Sequence, residues 1–399
     1  MNPSLRHLRV FLALLDTGTV TGAARACHVS QPAASQALAR LDAEAGLPLV
    51  HHGRDAQGPT EAGLAYGARV RRALARLDAA LSAVAPRLVL TATRAQLSAL
   101  IAVRDVENFT LAAQHLGLSQ PTVHRAVTQL ESEAGRPLFQ RNSKRMQASR
   151  PAQAMADAAR LCFSELEQAA AELADLAGRE AGSITVGAMP LSRSIVLPRA
   201  LAEFRRLRPT MPLLILDGPY ADLLAGLRRG EIDLLIGALR QPVPVPDVVQ
   251  TALFTDDLVL VVRPGHPLAT AAAPQAGAIT RYPWVVPRAG TPAHAQFERF
   301  LAEIGERRPA TIESSSMMLM RELLAQTDHI GCISRLQARA DIALGAVVAL
   351  ERRLPGSARP IGLTTRADWL PTAAQAQFLA IVHRVGAEVA ADQRGDQTG

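Results

Sequence analysis

One long stretch occurs twice in this chain, at a fixed offset of 89 positions: Ser30 maps onto Ser119 and Gly46 onto Gly135. Ala23–Gly46 reads AARACHVSQPAASQALARLDAEAG, and Ala112–Gly135 reads AAQHLGLSQPTVHRAVTQLESEAG. Repeats of supersecondary size constrain a fold more than any single motif. Two copies, each embedded in a longer segment, describe a duplicated module and not a solenoid. The second copy reads as two short helices joined by a tight turn. Leu111, Ala112, Ala113 and Leu116 recur at helical spacing. Gly117 suits the left-handed position that closes the first helix. Ser119 is a good N-cap for the next, and Pro121 falls in the first turn, where a missing N–H costs nothing. Val123, Ala126, Val127 and Leu130 form the buried stripe, while Thr122, His124, Arg125 and Gln129 face away. Small polar and cationic groups at the start of a second helix are what the major groove of DNA accepts. An ordinary helical hairpin would share the same spacing.

Charge separates the copies. From Ser30 to Glu61, Arg40 and Arg54 stand against Asp42, Glu44, Asp55 and Glu61, a net −2. From Ser119 to Arg150, Arg125, Arg136, Arg141, Lys144, Arg145 and Arg150 stand against Glu131 and Glu133, a net +4. Phosphate neutralisation supplies most sequence-independent affinity for DNA, so the second copy is the expected stronger binder. Gln36 stands where that copy has Arg125. The formal net charge of +7 permits a polyanionic partner.

Each copy opens with a bracing helix, Leu5–Asp16 and a segment carrying Leu97, Leu100, Ile101 and Val103. Each is followed by a candidate β-hairpin wing, around His51–Gly63 and Leu138–Arg145, and then by a long helix. In the first long helix, Arg69, Arg71, Arg72 and Arg76 read as a solvated side opposite leucines 74, 77 and 81. The second, from Pro151 to about Gly178, offers Leu161, Phe163, Leu166, Ala170, Leu173 and Leu176 to a partner surface. That surface fits a second chain or the helix's own chain equally well.

From Gly182 strands alternate with helices, which indicates a parallel sheet with helices on its faces. Expected strands are 183–187, 212–217, 232–236, 257–263, 284–286 and 329–333. Val347–Leu350 and Pro360–Leu363 are read as returning to the first lobe. Gln375–Val389 is a closing helix, with a frayed polar tail from Ala390. Two lobes leave a cleft at the carboxyl ends of their strands. Leu191, Ser192, Arg193, Ser194, Tyr220, Arg288, Thr291, Ser314 and Ser315 are the candidates to face it. Helix N-termini with arginines suit an anion such as a carboxylate; N-capping is the competing role for the serines.

Over almost its whole length the chain resembles LysR-type transcriptional regulators. In the second copy the resemblance rests on A-A…L-x-x-S-Q-P followed by L-E-x-E-x-G-x-P-L-F-x-R. Downstream it rests on GSITVGAMPL and GEIDLLIGA. The first copy keeps T-E-A-G and loses the F-x-R wing; the family commonly carries one module, so the second is a departure. The resemblance implies a multidomain α + α/β chain. Two winged helix-turn-helix modules, 3–61 and 93–150, would be followed by linker helices at 62–86 and 151–178, the latter for dimerisation. A two-lobed effector domain similar to periplasmic binding proteins would span 182–390. Its lobe I would take about 182–262 and 345–390, and lobe II about 263–344. The resemblance also implies promoter DNA, a small-molecule effector and a homo-oligomer, dimer or tetramer, as partners, with RNA polymerase a further candidate.

The residues assigned to DNA are Ser119, Gln120, Pro121, Thr122, His124, Arg125, Arg141 and Lys144, with Ser30, Gln31, Ser35 and Gln36 in the first copy. No cofactor, metal or membrane is expected: the His51–His52 pair lacks further ligands in spacing, and no apolar run would span a bilayer. Cys27, Cys162 and Cys332 lie far apart and suit a reducing cytoplasm. Nucleotide, phosphate-loop, zinc-protease and serine-elbow motifs are missing, which argues against an enzyme. A DNA-binding assembly protein with a silent cleft, or a cytoplasmic small-molecule-binding protein, is the alternative.

Overall fold

The computed structural model describes residues 3–52, 57–142, 145–271, 274–305, 309–352 and 354–398. Contacts divide them into two compact units. The first is residues 1–183 with 229–231, and the second is 184–228 with 232–399.

In the first unit the repeat reproduces itself element by element. One copy runs α1 (Leu5–Thr17), α2 (Val20–Ala26), α3 (Gln31–Ala45), β1 (Val50–His52), β2 (Gln57–Pro59) and α4 (Glu61–Val84). A short α5 (Leu88–Thr91) leads into the other. That copy runs α6 (Arg94–Val106), α7 (Phe109–Leu116), α8 (Gln120–Ala134), β3 (Phe139–Asn142), β4 (Arg145–Ala148) and α9 (Arg150–Leu176). Both hairpins are antiparallel.

The capping chemistry repeats as well. Ser30 and Ser119 cap the second helix of each helix pair, and Thr60 and Ser149 cap the two long helices. Asp42 Oδ1 accepts the Leu49 amide at 2.8 Å, and Glu131 Oε1 accepts the Leu138 amide at 2.8 Å, at matching positions. Two non-glycine residues have positive φ, His28 (51°) and Glu107 (50°). Each stands where the other copy has a left-handed glycine, Gly117 (63°) and Gly18 (70°). The backbone of the module demands that conformation whichever residue occupies it.

The two copies share one continuous hydrophobic core, from Leu5 through Leu77 and Leu130 to Leu173. The cause is the packing of α4 along α9. This corrects the reading of Arg69 as solvated. It is 3% exposed and pairs with Glu165 and Glu172 of α9. Arg72 donates to Glu165 at 2.5 Å. A buried guanidinium needs such partners, because an uncompensated charge is costly away from water. Of the α9 face offered to a partner, Phe163, Leu166 and Leu173 are buried within this chain, and Leu176 remains 64% exposed.

The second unit holds two five-stranded sheets. The first comprises β5 (Ile184–Ala188), β6 (Leu213–Leu216), β7 (Leu234–Ala238), β8 (Val248–Asp256) and β14 (Arg359–Arg366), in the order β6-β5-β7-β14-β8. Its helices are α10 (Val196–Leu207), α11 (Tyr220–Arg228) and α16 (Ala373–Thr398). The second sheet comprises β9 (Leu258–Val262), β10 (Trp284–Val286), β11 (Thr311–Glu313), β12 (Ile330–Ser334) and β13 (Val348–Ala349), in the order β11-β10-β12-β9-β13. Around it lie α12 (Ala276–Ile279), α13 (Pro292–Ile304), α14 (Met317–Gln326) and α15 (Arg335–Ala343).

Three expectations change here. The sheets are mixed, because β14 runs antiparallel to both β7 and β8, and β9 antiparallel to both β12 and β13. Val348–Ala349 stays in the second sheet beside β9 and does not return to the first. The tail from Ala390 continues as helix to Thr398, with Val389 buried against the first sheet's core.

Candidate functional site

The exposed face of α8 is set by its N-terminus. Ser119 Oγ accepts the Thr122 amide at 3.4 Å and lies 2.8 Å from Thr122 Oγ1. With Pro121 in the first turn, this fixes where the helix begins. Val123, Val127 and Leu130 face the core, so Gln120, Thr122, His124, Arg125, Thr128 and Gln129 face out. His124 is held in place: its ring packs 5.1 Å from Phe109, and its Nδ1 lies 3.4 Å from Thr128 Oγ1. Arg125 makes no ion pair among the described residues. Arg141 lies on β3, in the hairpin that follows α8. Lys144 lies outside the described residues.

On α3 the corresponding face carries Gln31, Ala33, Ser35 and Gln36, all exposed, with Ser30 accepting the Ala33 amide at 3.4 Å. The scaffold is equivalent to that of α8. The difference is chemical: Gln36 and Ala33 stand in place of Arg125 and Thr122.

In the second unit a cavity of about 690 Å³ is walled by residues from both sheets and their loops. It gathers Leu191, Arg193, Tyr220, Arg288, Thr291, Ser314 and Ser315 from the sequence-derived set. Ser192 and Ser194 do not line it, and the Ser192 hydroxyl is buried and donates to the Met189 carbonyl at 2.8 Å. Thr291 caps α13 by accepting the His294 amide at 3.1 Å. Ser314 Oγ accepts the Ser316 amide at 3.1 Å, and Ser316 in turn caps α14. Capping and cavity lining therefore coincide in these residues.

Sequence reasoning missed Arg240, Asp217, Gln337 and Arg359 on the same wall. Arg240 lies two residues beyond the GEIDLLIGA segment, where no spacing or periodicity singles it out. Its guanidinium stacks 4.4 Å from the centre of the Tyr220 ring. The Tyr220 hydroxyl is buried without a hydrogen-bond partner. Burial pushes the Tyr220 pKa up, opposed by Arg240, and burial lowers that of Arg240. Arg193 already pairs with Asp217 at 2.8 Å. Arg240 and Arg288 make no ion pair among the described residues. Arg359 is held by Asp256 at 2.7 Å and Gln296 at 3.0 Å. Burial pushes the Asp256 carboxyl up to about 6, opposed by Arg359. Arg359 therefore serves its buried partner first. A cavity of this size with a few placed polar groups suits a small organic ligand.

Comparison with known proteins supplies the context. Residues 177–387 match the LysR substrate binding domain family. Residues 5–64 and 95–153 each match the bacterial regulatory helix-turn-helix protein, lysR family. The HTH-type transcriptional regulator GalR of Pseudomonas putida is 31% identical over 394 residues, covering 97% of this chain and 98% of that protein. PcaQ of Agrobacterium fabrum, also an HTH-type transcriptional regulator, is 30% identical over 262 residues, covering 65% of this chain and 84% of its own length. Among solved structures, a full-length OxyR from Pseudomonas aeruginosa aligns with a TM-score of 0.53 at 22% identity, over 73% of this chain and 94% of that one. Full-length CbnR complexed with its target DNA aligns with a TM-score of 0.51 at 20% identity, over 73% and 98%. At such identities the likeness shows the fold alone. No helix among the described residues is long and apolar enough to cross a membrane.

Proposed function

Because this chain belongs to the LysR family of DNA-binding transcriptional regulators, with an effector-binding domain, we propose the following division of labour. Both copies of the repeat are winged helix-turn-helix heads, and the second does most of the reading. Gln120, Thr122 and Arg125 on α8 reach base edges or backbone, while Arg141 and Lys144 in the wing hold phosphates. His124, clamped by Phe109, shapes this surface more than it searches for a base. Ser30, Gln31, Ser35 and Gln36 give the first head uncharged, weaker contacts.

The observation that carries this reading is the contrast between equivalent frames. Arg125 of the second copy stands where the first has Gln36, and the residues after the helix are strongly cationic only in the second copy, giving segment charges of +4 and −2. A structural repeat with no DNA role has no need of that polarity. The test is binding of the purified chain to promoter fragments over a range of salt. Preference for a specific fragment, with affinity falling steeply as salt rises, supports the reading. Equal weak binding to random duplex refutes it.

In the second unit the two sheets act as lobes, and the cavity between them takes an anionic effector. Arg240 and Arg288 supply the charge, and the partnerless Tyr220 hydroxyl supplies a hydrogen bond. The capped N-termini of α13 and α14 add donors and a favourable dipole. An effector that binds one lobe arrangement more tightly than the other shifts the population and hence the DNA heads. Carboxylates in a thermal-shift panel should stabilise the protein, and Arg240→Ala should abolish that shift. Stabilisation that survives in Arg240→Ala moves the anion site elsewhere. Contact with RNA polymerase is the remaining partner in this reading, and it is tested by co-binding on a promoter the chain occupies.

A further inference from the structure

We infer that a single chain is already a two-headed DNA-binding unit. Helices α4 and α9 pair within the chain as the two halves of an isologous dimer do. The unit presents α3 and α8 to two oppositely oriented half-sites on one duplex. This rests on the reading of both copies as DNA-binding heads.

The first observation is direction. Arg69 of α4 reaches Glu172 of α9, whereas Arg72, further along α4, reaches Glu165, further back along α9. Contacts that run in opposite senses describe an antiparallel pair. Two equivalent helices packed antiparallel are related by a local two-fold axis, as in a symmetric dimer interface.

The second observation is reciprocity. In an isologous interface each patch is used twice. Arg87, just past α4, donates to the Ser132 carbonyl at 2.5 Å and to that of Glu133, at the end of α8. Across the axis Arg179, just past α9, lies at the end of α3, where a Cβ added to Gly46 would meet its guanidinium at 3.0 Å. The tail of each long helix thus braces the second helix of the opposite copy.

The third observation is that the seam is filled. Arg69, Glu165, Phe163, Leu166 and Leu173 are all buried inside one chain. A second chain is not required to cover the long helices, so association between chains uses other surfaces. Heads related by a two-fold axis read inverted half-sites. Because the heads differ in charge, the half-sites are read unequally, the stronger under α8.

The test uses the full chain carrying Arg87→Cys and Glu133→Cys. These two residues are partly exposed, and their side chains lie 3.7 Å apart. The protein is treated with a short bis-maleimide beside the parent with its three native cysteines. The expected product keeps single-chain mass on a denaturing gel at every protein concentration. A band of doubled mass that grows with concentration overturns the inference.

A second readout co-expresses chains bearing Gln36→Glu with chains bearing Arg125→Glu. With pairing inside the chain every pair contains one damaged head. The mixture then binds a two-half-site duplex no better than the stronger variant alone. Recovery of about tenfold in affinity, the scale of one restored head contact, means that heads pair between chains and overturns the inference. If neither substitution weakens DNA binding, the premise about the heads fails and the two-headed unit fails with it, while the gel still reports how the helices pair.

Discussion

The two copies of the repeat share a frame and diverge in what they show to solvent. Asp16–Arg71 and Asp105–Arg160 are the same ion pair 89 positions apart. Asp78 and Glu167 occupy one position and both reach back to the first helix of their own copy, to Arg9 and to Arg94. Yet the exposed residues of α8 include Arg125 and those of α3 have Gln36 there. Packing residues answer to neighbours that are themselves duplicated, so they persist. Surface residues answer to whatever each head touches, so they drift apart when the heads do different work. A duplicated module therefore separates structural from functional demands within one chain.

The comparison can be broken at the seam that joins the copies. Arg69→Ala strips Glu165 and Glu172 of a buried countercharge. We expect a loss of about 3 kcal/mol, and both copies should unfold in one denaturant transition, since they share a core. Separate transitions would mean that the copies are independent. Next in size is the chemical asymmetry. Arg125→Ala should weaken promoter binding by about 10- to 100-fold and flatten the salt dependence, whereas Gln36→Ala should cost less than about threefold. Equal losses in a mobility-shift titration would erase the distinction between the heads.

A packing difference gives a smaller effect. Gly63 and Ala152 hold equivalent places at the starts of α4 and α9. A Cβ on Gly63 would lie 2.0 Å from the Leu49 carbonyl oxygen. Gly63→Ala should cost about 1–3 kcal/mol in chemical denaturation. Ala152→Gly should cost about 1 kcal/mol through helix propensity. The smallest effect has the opposite sign. His28→Gly and Glu107→Gly each give one copy the glycine its twin already has at a left-handed position. Each should raise stability by up to about 1 kcal/mol, seen as a higher Tm.

Much of the first unit was legible because its signals are local. Ser30, Ser119, Gly46 and Gly135 mark helix ends by their own hydrogen-bonding and backbone preferences. The helices start and stop where those residues stand. The candidate cavity was legible in part. Tyr220, Arg288, Thr291 and Ser314 sit on its wall, while Ser192 turned inward to its own backbone. Arg240 escaped notice because a single arginine after a strand carries no periodic or spacing signal.

By itself the sequence determined the duplicated module, its helix boundaries, the alternation of strands and helices beyond Gly182, and the imbalance of charge between the copies. All of these are written in neighbouring residues or in a direct match between two stretches. Only the tertiary structure decided that Arg69 is buried against α9, that Val348–Ala349 joins the second sheet, and that Arg240 meets Tyr220 in one cavity. Those outcomes depend on which distant segment covers a given face. Helical or strand periodicity names the face but not the partner that buries it.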